Sequence, residues 1–369
     1  MKRDIVIVST NDWHGFWYQR QEFATRFAAE GHRVFFVNRI PQRIPRPGRI
    51  IRWLLSKRQS RRINNEVPAG VHLLSPFLLP PFRRLRPLNR RLWKRAWSKV
   101  PRPRDPVLIT YQPTYNVLDL IDLVEASKLV YINTHNYDAD PSCPRDLLTA
   151  EVEMVRRADL LLADSAYNAG RLERHLPKET DGEVCRAMPG VHYQRFAAAY
   201  RGDEARRRRH LAFFGGIGRH LDVELYNRLA EHYEVSFIGI VDAAVRDKIS
   251  ENIRVHPPVA PTELPLLLRD ADIMTILYIP SDYVRGILPA KFFECLATGK
   301  PLLVSGLEEA GPYRDLVYEV DGSFERAVEL IKELPATETA ERLERRREVA
   351  LGADWGQRYR DLYRRIFGS

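Results

Sequence analysis

Residues 286–301 combine a lysine and a glutamate with the sequence signals of a short helix. Pro289 suits the first helical position, where its missing N–H costs nothing, and Gly299 suits the position just past the end. Lys291 would then lie in the first turn, beside free backbone amides that can bind an anion, and Glu294 would share its helix face. Such a pair could hold a diphosphate and a ribose diol together, whereas the alternative is an ordinary surface ion pair.

The wider pattern around this pair, P-x-K-x-x-E-x-L-A-x-G-x-P, lies between two strand-like apolar stretches. It resembles the donor-binding motif of retaining GT-B glycosyltransferases, and most closely that of family 4-like, teichuronic-acid-type bacterial enzymes. The resemblance implies that Lys291 contacts the diphosphate of a nucleotide sugar and that Glu294 contacts its ribose. Gly286 departs from the family pattern, because the E-x7-E signature of the family has an acid at that place.

A second candidate for phosphate binding is the glycine-rich loop GGIG, which follows the predicted strand 211–214. Backbone amides in such a loop can approach a phosphate, although a plain tight turn is the alternative. The loop is not a dinucleotide-binding fingerprint, because Leu221 stands where that pattern has glycine or alanine. In the GT-B resemblance the loop faces the donor phosphates. The donor-site candidates are therefore Gly215, Gly216, Arg219, Arg285, Lys291 and Glu294.

Two polar loops of the first half each follow a predicted strand, and the carboxyl ends of parallel strands meet at one edge of a sheet. The loop 9–15 offers side chains for acceptor hydroxyls and a glycine that lets the backbone approach a ligand, although its polar residues could serve only as turns or caps. The loop 131–140 resembles a segment that touches the transferred sugar or the acceptor in relatives, although polar surface is the alternative. The acceptor-binding candidates are Asp12, His14 and Gly15, and the catalytic candidates are His135, Asp138 and Lys291.

No metal or other cofactor is predicted, and the nucleotide sugar is a substrate. The tripeptides 138–140 and 270–272 both read D-x-D, the metal–diphosphate motif of the other glycosyltransferase fold. Two consecutive Rossmann-like halves disagree with that single-domain fold, so we interpret both tripeptides as coincidence. The three cysteines lie far apart, which favours reduced thiols in a cytoplasmic protein over a disulfide framework or a zinc site.

Strands alternate with helices in both halves of the 369 residues, which predicts parallel, doubly wound sheets. The fold class is α/β, with two Rossmann-like domains (GT-B), a cleft between them and a C-terminal helix crossing back to the first. The turn 188–196 resembles the GV-(D/H)-xxx-F turn at a GT-B domain junction. The expected domains are 1–200 for the acceptor, 201–350 for the nucleotide sugar and 351–369 as the returning helix. Predicted strands are 4–10, 33–38, 107–111, 129–132, 160–163, 211–214, 235–241, 252–256, 272–279 and 301–305. Predicted helices are 16–30, 116–125, 145–157, 166–175, 223–233, 263–269, 323–333, 336–350 and 355–367.

A basic insertion at 40–105 interrupts this alternation. Between Arg39 and Arg104 there are nineteen Lys and Arg against a single acid, whereas the whole chain carries only +10. Tryptophans and leucines beside these arginines, including a basic amphipathic helix predicted at 90–99, are typical of a surface that dips into an anionic bilayer. The alternatives are packing on its own domain and nucleic-acid binding, and no zinc-finger or RNP-like pattern supports the latter.

The sequence has no apolar run of 18 residues, and its start reads as a strand instead of a signal peptide. We therefore expect a cytoplasmic protein, peripheral on the inner face of the membrane. The expected activity is transfer of a sugar, with retention of configuration, from a nucleotide sugar to a membrane-associated, lipid-linked or polysaccharide acceptor. UDP is favoured over GDP because it is the commoner donor among relatives. The alternatives are a GT-B nucleotide-sugar epimerase and a non-catalytic basic protein that binds membranes or nucleic acid.

Overall fold

The computed structural model describes residues 2–42, 65–177, 183–200, 202 and 210–368. The chain divides into two units, each with its own parallel sheet: unit 1 is Met1–Ala187 with Asp361–Ser369, and unit 2 is Met188–Arg360. The sequence placed the boundary near residue 200, whereas residues 188–200 belong to unit 2 in the structure. Among the described residues, no helix is both long and apolar enough to cross a membrane.

The sheet of unit 1 has seven strands in its described part, in the order β3-β2-β1-β4-β5-β6-β7, and all neighbours pair in parallel. Its central strands are continuous apolar runs, because helices cover both faces of such a sheet. The strands are β1 (Asp4–Val8), β2 (Arg33–Val37), β3 (Val71–Leu74), β4 (Val107–Thr110), β5 (Lys128–Asn133), β6 (Leu160–Ala163) and β7 (Cys185–Arg186).

The helices of unit 1 follow from local signals at their ends. The first one stops before Gly31, whose φ of +85° suits glycine, and the last one begins after Ser165, whose side chain accepts a hydrogen bond from the Asn168 amide. The helices are α1 (Gln19–Ala29), α2 (Arg86–Trp97), α3 (Tyr115–Val124), α4 (Arg145–Arg157) and α5 (Ala166–Glu173).

The sheet of unit 2 has six described strands in the order β10-β9-β8-β11-β12-β13, again all parallel. They are β8 (His210–Phe214), β9 (Glu234–Ile238), β10 (Ile253–His256), β11 (Ile273–Leu277), β12 (Leu302–Ser305) and β13 (Tyr318–Glu319). The helices are α6 (Tyr193–Ala197), α7 (Val223–Ala230), α8 (Ala243–Arg246), α9 (Leu264–Leu268), α10 (Asp282–Arg285), α11 (Lys291–Ala297), α12 (Phe324–Thr337), α13 (Ala340–Gly352) and α14 (Trp355–Phe367). Two parallel-sheet α/β units are confirmed.

Strand order reverses between β1 and β4 in unit 1 and between β8 and β11 in unit 2. In open α/β sheets, ligands bind outside the carboxyl ends of the strands at such reversals. The GGIG loop follows β8 directly, and the loop 9–15 follows β1. Each sheet therefore brings one of the predicted loops to its expected binding edge.

The last helix, α14, has the predicted bounds, and its residues from Asp361 onward belong to unit 1. There the ring of Phe367 stacks on His32 with centroids 5.4 Å apart, and Lys128 Nζ donates to the Ile366 carbonyl at 2.6 Å. These contacts attach the C-terminal end of α14 to the residue before β2 and to the first residue of β5.

The basic insertion is partly ordered into the sheet. Residues 43–64 lie outside the described residues, but β3 and α2 both fall within the insertion. The predicted basic helix begins earlier than expected, at Arg86. From the sequence, the tryptophans of the insertion were predicted to contact a bilayer. For Trp93 and Trp97 this is wrong, because they are 0% and 8% exposed and lie in the core of unit 1. The Trp93 indole also donates to the Asn116 carbonyl at 2.8 Å.

Candidate active site

The helix α11 begins two residues later than predicted. Ala290 is its N-cap residue, and Pro289 accepts a hydrogen bond from the Phe292 amide at 2.9 Å, which makes a tight turn before the first α-helical bond. Pro289 at the first helical position was therefore wrong. Lys291 does lie in the first turn, and Gly299 ends the helix with a φ of +71°, as predicted. The helix has only seven residues, so its contribution to an anion site comes mainly from the lysine.

Lys291 packs directly on the glycine loop. A Cβ built at Gly215, whose φ is +113°, would lie 2.6 Å from Lys291 Nζ, so glycine is needed both for the backbone conformation and for this approach. The amine also lies 4.0 Å from the centroid of the Phe213 ring, a cation–π contact. Gly239, after β9, presses on the same loop, because a Cβ there would lie 1.9 Å from the Gly215 carbonyl oxygen. The two phosphate-binding candidates predicted from sequence thus form one site.

The charge of Lys291 is not neutralised by a carboxylate. Within the described residues its amine makes no ion pair and no hydrogen bond. It makes cation–π contacts with the rings of Phe213 and Tyr278. Burial lowers the pKa of Lys291 from 10.5 to about 8, against the opposing attraction of Cys295 and Glu294. The ammonium form is therefore destabilised, and an incoming anion would stabilise it.

Glu294 is half-buried one turn along α11, and it also makes no ion pair with the described residues. Burial raises the pKa of its carboxyl from 4.5 to about 7. The electrostatic interactions of the carboxylate with Lys291, His192 and Arg195 act in the opposite direction. His192 and Arg195 lie at α6, in the turn that resembles the GT-B junction turn, and sequence reasoning did not single them out.

Lys291 and Glu294 together offer a cation and a carboxylate whose pKa values both lie near neutrality. At functional sites, burial of an ionisable group without a protein partner commonly shifts its pKa in this way. An ammonium against a glycine backbone suits a diphosphate, and a carboxylate one turn away can accept hydrogen bonds from a diol. This arrangement is the best candidate site in unit 2.

The remaining donor-site candidates differ in how available they are. Gly216 is exposed and a Cβ there would meet nothing within 4 Å, so its position has room for a ligand. Arg219 is exposed in the same loop. Arg285 forms ion pairs with Asp282 at 3.4 Å and Glu308 at 3.1 Å, so part of its charge is already compensated.

In unit 1 the acceptor candidates lie directly after β1. Asp12 is exposed, and its carbonyl accepts a hydrogen bond from Gln21 Nε2 at 3.3 Å. His14 Nδ1 is buried and has no hydrogen-bond partner. A Cβ at Gly15 would lie 3.3 Å from the Asp12 carbonyl oxygen, which is a tight contact. The unsatisfied histidine nitrogen leaves this loop with a polar atom that a ligand could satisfy.

The catalytic candidates after β5 are held by a hydrogen bond and by ion pairs. His135 Nε2 lies 3.0 Å from Asp140 Oδ2, which fixes the orientation of the imidazole. Asp138 instead pairs with Arg171 at 3.6 Å and Arg174 at 3.9 Å. The two aspartates of this D-x-D tripeptide therefore serve different partners. In the described ranges, no group of three or more His, Cys, Asp or Glu is placed to hold a metal ion.

Comparisons with known proteins agree with this geometry at the level of fold. No protein-family model matches the chain. A protein of Bacillus subtilis (strain 168), provisionally named as the teichuronic acid biosynthesis glycosyltransferase TuaH, is 27% identical over 233 residues. The match spans 58% of each protein, so this chain matches little more than half the length of that relative.

Two solved structures match along nearly the whole chain. The first is Anabaena HepE in complex with UDP and glucose, with a TM-score of 0.67, 12% identity and full coverage of both chains. The second is the sucrose-phosphate synthase of Thermosynechococcus elongatus, with a TM-score of 0.70, 14% identity and 99% coverage of both. The chain thus has the fold of GT-B glycosyltransferase structures, as its sequence predicted. Its similarity in sequence is to a protein named as a glycosyltransferase.

Proposed function

We propose that this chain is a glycosyltransferase that takes a sugar from a nucleotide diphosphate sugar, with UDP as the nucleotide. The observation that carries the proposal is the unpaired Lys291 amine, held against the Gly215 backbone, with the unpaired Glu294 carboxylate one turn away. The complexes of HepE with UDP support the choice of nucleotide. In this assignment, Lys291 binds the diphosphate and Glu294 binds the ribose.

The transfer retains the anomeric configuration in this proposal. The acceptor oxygen attacks the anomeric carbon on the face from which the diphosphate leaves, the bond from that carbon to the leaving phosphate oxygen breaks, and this oxygen takes the acceptor proton. The protein need not supply a nucleophile. Its task is to stabilise the negative charge that develops on the diphosphate, and removing one such group typically costs about 10²–10³ in turnover. Lys291 is that group, while His135 and Asp138 contact the transferred sugar or acceptor, and Asp12, His14 and Gly15 bind acceptor hydroxyls.

The test is calorimetric titration of the whole chain with UDP, GDP and ADP, followed by assays of UDP release from UDP-glucose with and without added acceptors. We expect UDP to bind, and Lys291→Ala to cut turnover far more than it weakens acceptor binding. Conversion of the UDP-sugar into a stereoisomer, without acceptor and without net UDP release, would instead identify an epimerase. A protein that ignores all three nucleotides would be a non-catalytic binder, and near-normal turnover by Lys291→Ala would refute the role of this lysine.

We further propose that the acceptor is lipid-linked or a polysaccharide and that the protein works at the cytoplasmic face of the membrane. Phe77 is 71% exposed and Leu88 48% exposed, and Arg91, Lys94 and Arg95 of α2 are exposed too. Apolar side chains beside cations suit an anionic bilayer. In a flotation assay the protein should rise with phosphatidylglycerol-containing liposomes, and a Lys94→Glu/Arg95→Glu variant should no longer bind them. Equal binding to purely zwitterionic liposomes, or binding to neither, would contradict this proposal.

A further inference from the structure

One arginine of unit 1 is half-buried and has no acidic partner. Arg20 is the second residue of α1, and its guanidinium carbon lies 4.3 Å from the centroid of the Tyr111 ring. One of its terminal nitrogens donates to Thr134 Oγ1 at 3.1 Å, whereas its Nε is buried and has no acceptor. Within the described residues no carboxylate comes within ion-pair distance of Arg20, and Asp164 acts on it only from further away.

Two arginines are fully buried among the described residues, and each has a carboxylate partner. Arg171, 1% exposed, makes two hydrogen bonds to Glu151 at 2.6 and 2.8 Å. Arg346, fully buried in unit 2, is paired with Glu338. Buried charges in proteins are normally paired in this way, because removing them from water is costly. Burial lowers the pKa of Arg20, as it does that of Arg346, but Arg20 lacks the paired carboxylate, and a bound anion would supply the missing negative charge.

Several polar atoms in the loops at this edge of the sheet also lack partners. Tyr111, whose ring contacts the Arg20 guanidinium, is 1% exposed, and its hydroxyl has no hydrogen-bond partner. The side-chain oxygen of Thr114, which is fully buried, is likewise unsatisfied, as is His14 Nδ1. These residues follow β1 and β4, and Thr134 follows β5, so the group lies where the strand order of unit 1 reverses. Unsatisfied buried groups gathered at such an edge indicate a missing ligand.

We propose that Arg20 binds an acidic group of the acceptor, a carboxylate or a phosphate, so that the enzyme acts on an anionic acceptor. A guanidinium binds either anion through paired N–H···O contacts, and stacking on Tyr111 holds the plane of the guanidinium ready for them. A neutral acceptor would leave the positive charge uncompensated. That the bound anion belongs to an acceptor depends on the proposed function. That Arg20 binds an anion does not depend on it.

The simplest alternative is that Arg20 is structural and only stabilises α1 through its stack on Tyr111. The test therefore uses three small probes on the whole chain: glucose, glucuronate and glucose 6-phosphate, titrated by calorimetry at one ionic strength. The variants are Arg20→Gln, which removes the charge, and Arg20→Lys, which keeps it. The matched control is Arg102→Gln, which removes the same charge from an exposed pair with Glu125.

We expect at least one acidic probe to bind about tenfold or more tightly than glucose, because a hydrogen bond to a charged group contributes at least that much. Arg20→Gln should abolish this preference, Arg20→Lys should keep part of it and Arg102→Gln should keep all of it. Equal binding of the three probes by the unmodified chain, or a preference that survives Arg20→Gln, would overturn the proposal. A purely structural arginine would change the melting temperature without changing the preference.

Two further readouts separate the possible outcomes. Binding of the phosphate probe should strengthen from pH 5 to pH 7, because a phosphate monoester loses its second proton near pH ~6, whereas binding of the carboxylate should not. Whichever acidic probe shows the preference identifies the source of the negative charge. UDP affinity should be unchanged in Arg20→Gln. If the unmodified chain does not bind UDP, the glycosyltransferase proposal is refuted, while the preference of Arg20 for an anion can still be measured.

Discussion

Replacing Lys291 with methionine should make the protein more stable and weaken its binding of UDP. The lysine is half-buried, makes no ion pair with the described residues, and has a pKa lowered from 10.5 to about 8, so its charged form is less stable in the folded state. A depression of one pH unit corresponds to about 1.4 kcal/mol, which gives an upper limit of about 3 kcal/mol at pH 7, reduced by the remaining contact with solvent. Methionine has nearly the same length, and its sulfur can pack on the Phe213 ring that the amine now faces.

The assay is the melting temperature of the full chain as a function of pH, together with UDP titration. For a unit of this size about 1 kcal/mol moves the melting temperature by roughly 2–4 °C, so Lys291→Met should melt several degrees higher at pH 7. The folded pKa is depressed, so the cost of charging the amine is present below about pH 8 and disappears as the pH rises toward 10.5. The stabilisation by Lys291→Met should shrink over the same range, while UDP affinity should fall at least tenfold at pH 7.

Lys300 provides the matched control, because it is a buried lysine with a structural role. It is 5% exposed, and its amine donates to three carbonyl oxygens, among them that of Arg269 at 3.1 Å. Lys300→Met leaves those acceptors unsatisfied, at a cost of about 1–3 kcal/mol or more, so it should melt lower. A Lys291→Met protein that melts as low as the Lys300→Met protein, or that binds UDP normally, would refute the reasoning.

Three other changes have defined outcomes. Gly215→Ala should weaken UDP binding and lower stability, because a Cβ there would strain a φ of +113° and displace the lysine amine, whereas Gly216→Ala, with open space around it, should be nearly neutral by the same two assays. Glu294→Gln should weaken the binding of UDP in calorimetry but leave the binding of inorganic pyrophosphate, which lacks ribose, unchanged. In the unmodified protein, the raised pKa of Glu294 lowers stability as the pH rises from 4.5 to about 7, and Glu294→Gln should remove this loss. Arg171→Met should destabilise unit 1 by about 3–5 kcal/mol in chemical unfolding, because it leaves the buried carboxylate of Glu151 without its cationic partner; a much smaller loss would contradict this reasoning.

Element types were predictable from the sequence where apolar runs have clear ends. The helices 145–157 and 355–367 and the strand 160–163 have the predicted bounds, because each is a periodic or continuous apolar segment flanked by polar residues. The strand β3 was missed, because its four residues lie within the proline-rich basic insertion and alternate too briefly to stand out. Pro289 was misplaced because its preference for a first turn does not distinguish an α-helix from the tight turn that precedes it here.

The candidate site was only partly predictable, because its key distances join segments far apart in the chain. The sequence identified Lys291 and the loop at Gly215 separately, but only the fold brings the amine against that glycine. Arg20 gave no signal, since an arginine in the first turn of an amphipathic helix normally faces solvent; its burial depends on Tyr111 and on Thr134. Helix α2 shows the converse case, because an amphipathic pattern reveals an apolar face without revealing what covers it.

The most direct test of the central claim is an experimental structure of the full chain bound to UDP. We expect a diphosphate oxygen within about 3.2 Å of Lys291 Nζ, beside the Gly215 backbone, and the ribose hydroxyls within about the same distance of the Glu294 carboxylate. UDP bound elsewhere, or bound in unit 2 with Lys291 and Glu294 both out of contact with it, would contradict the account.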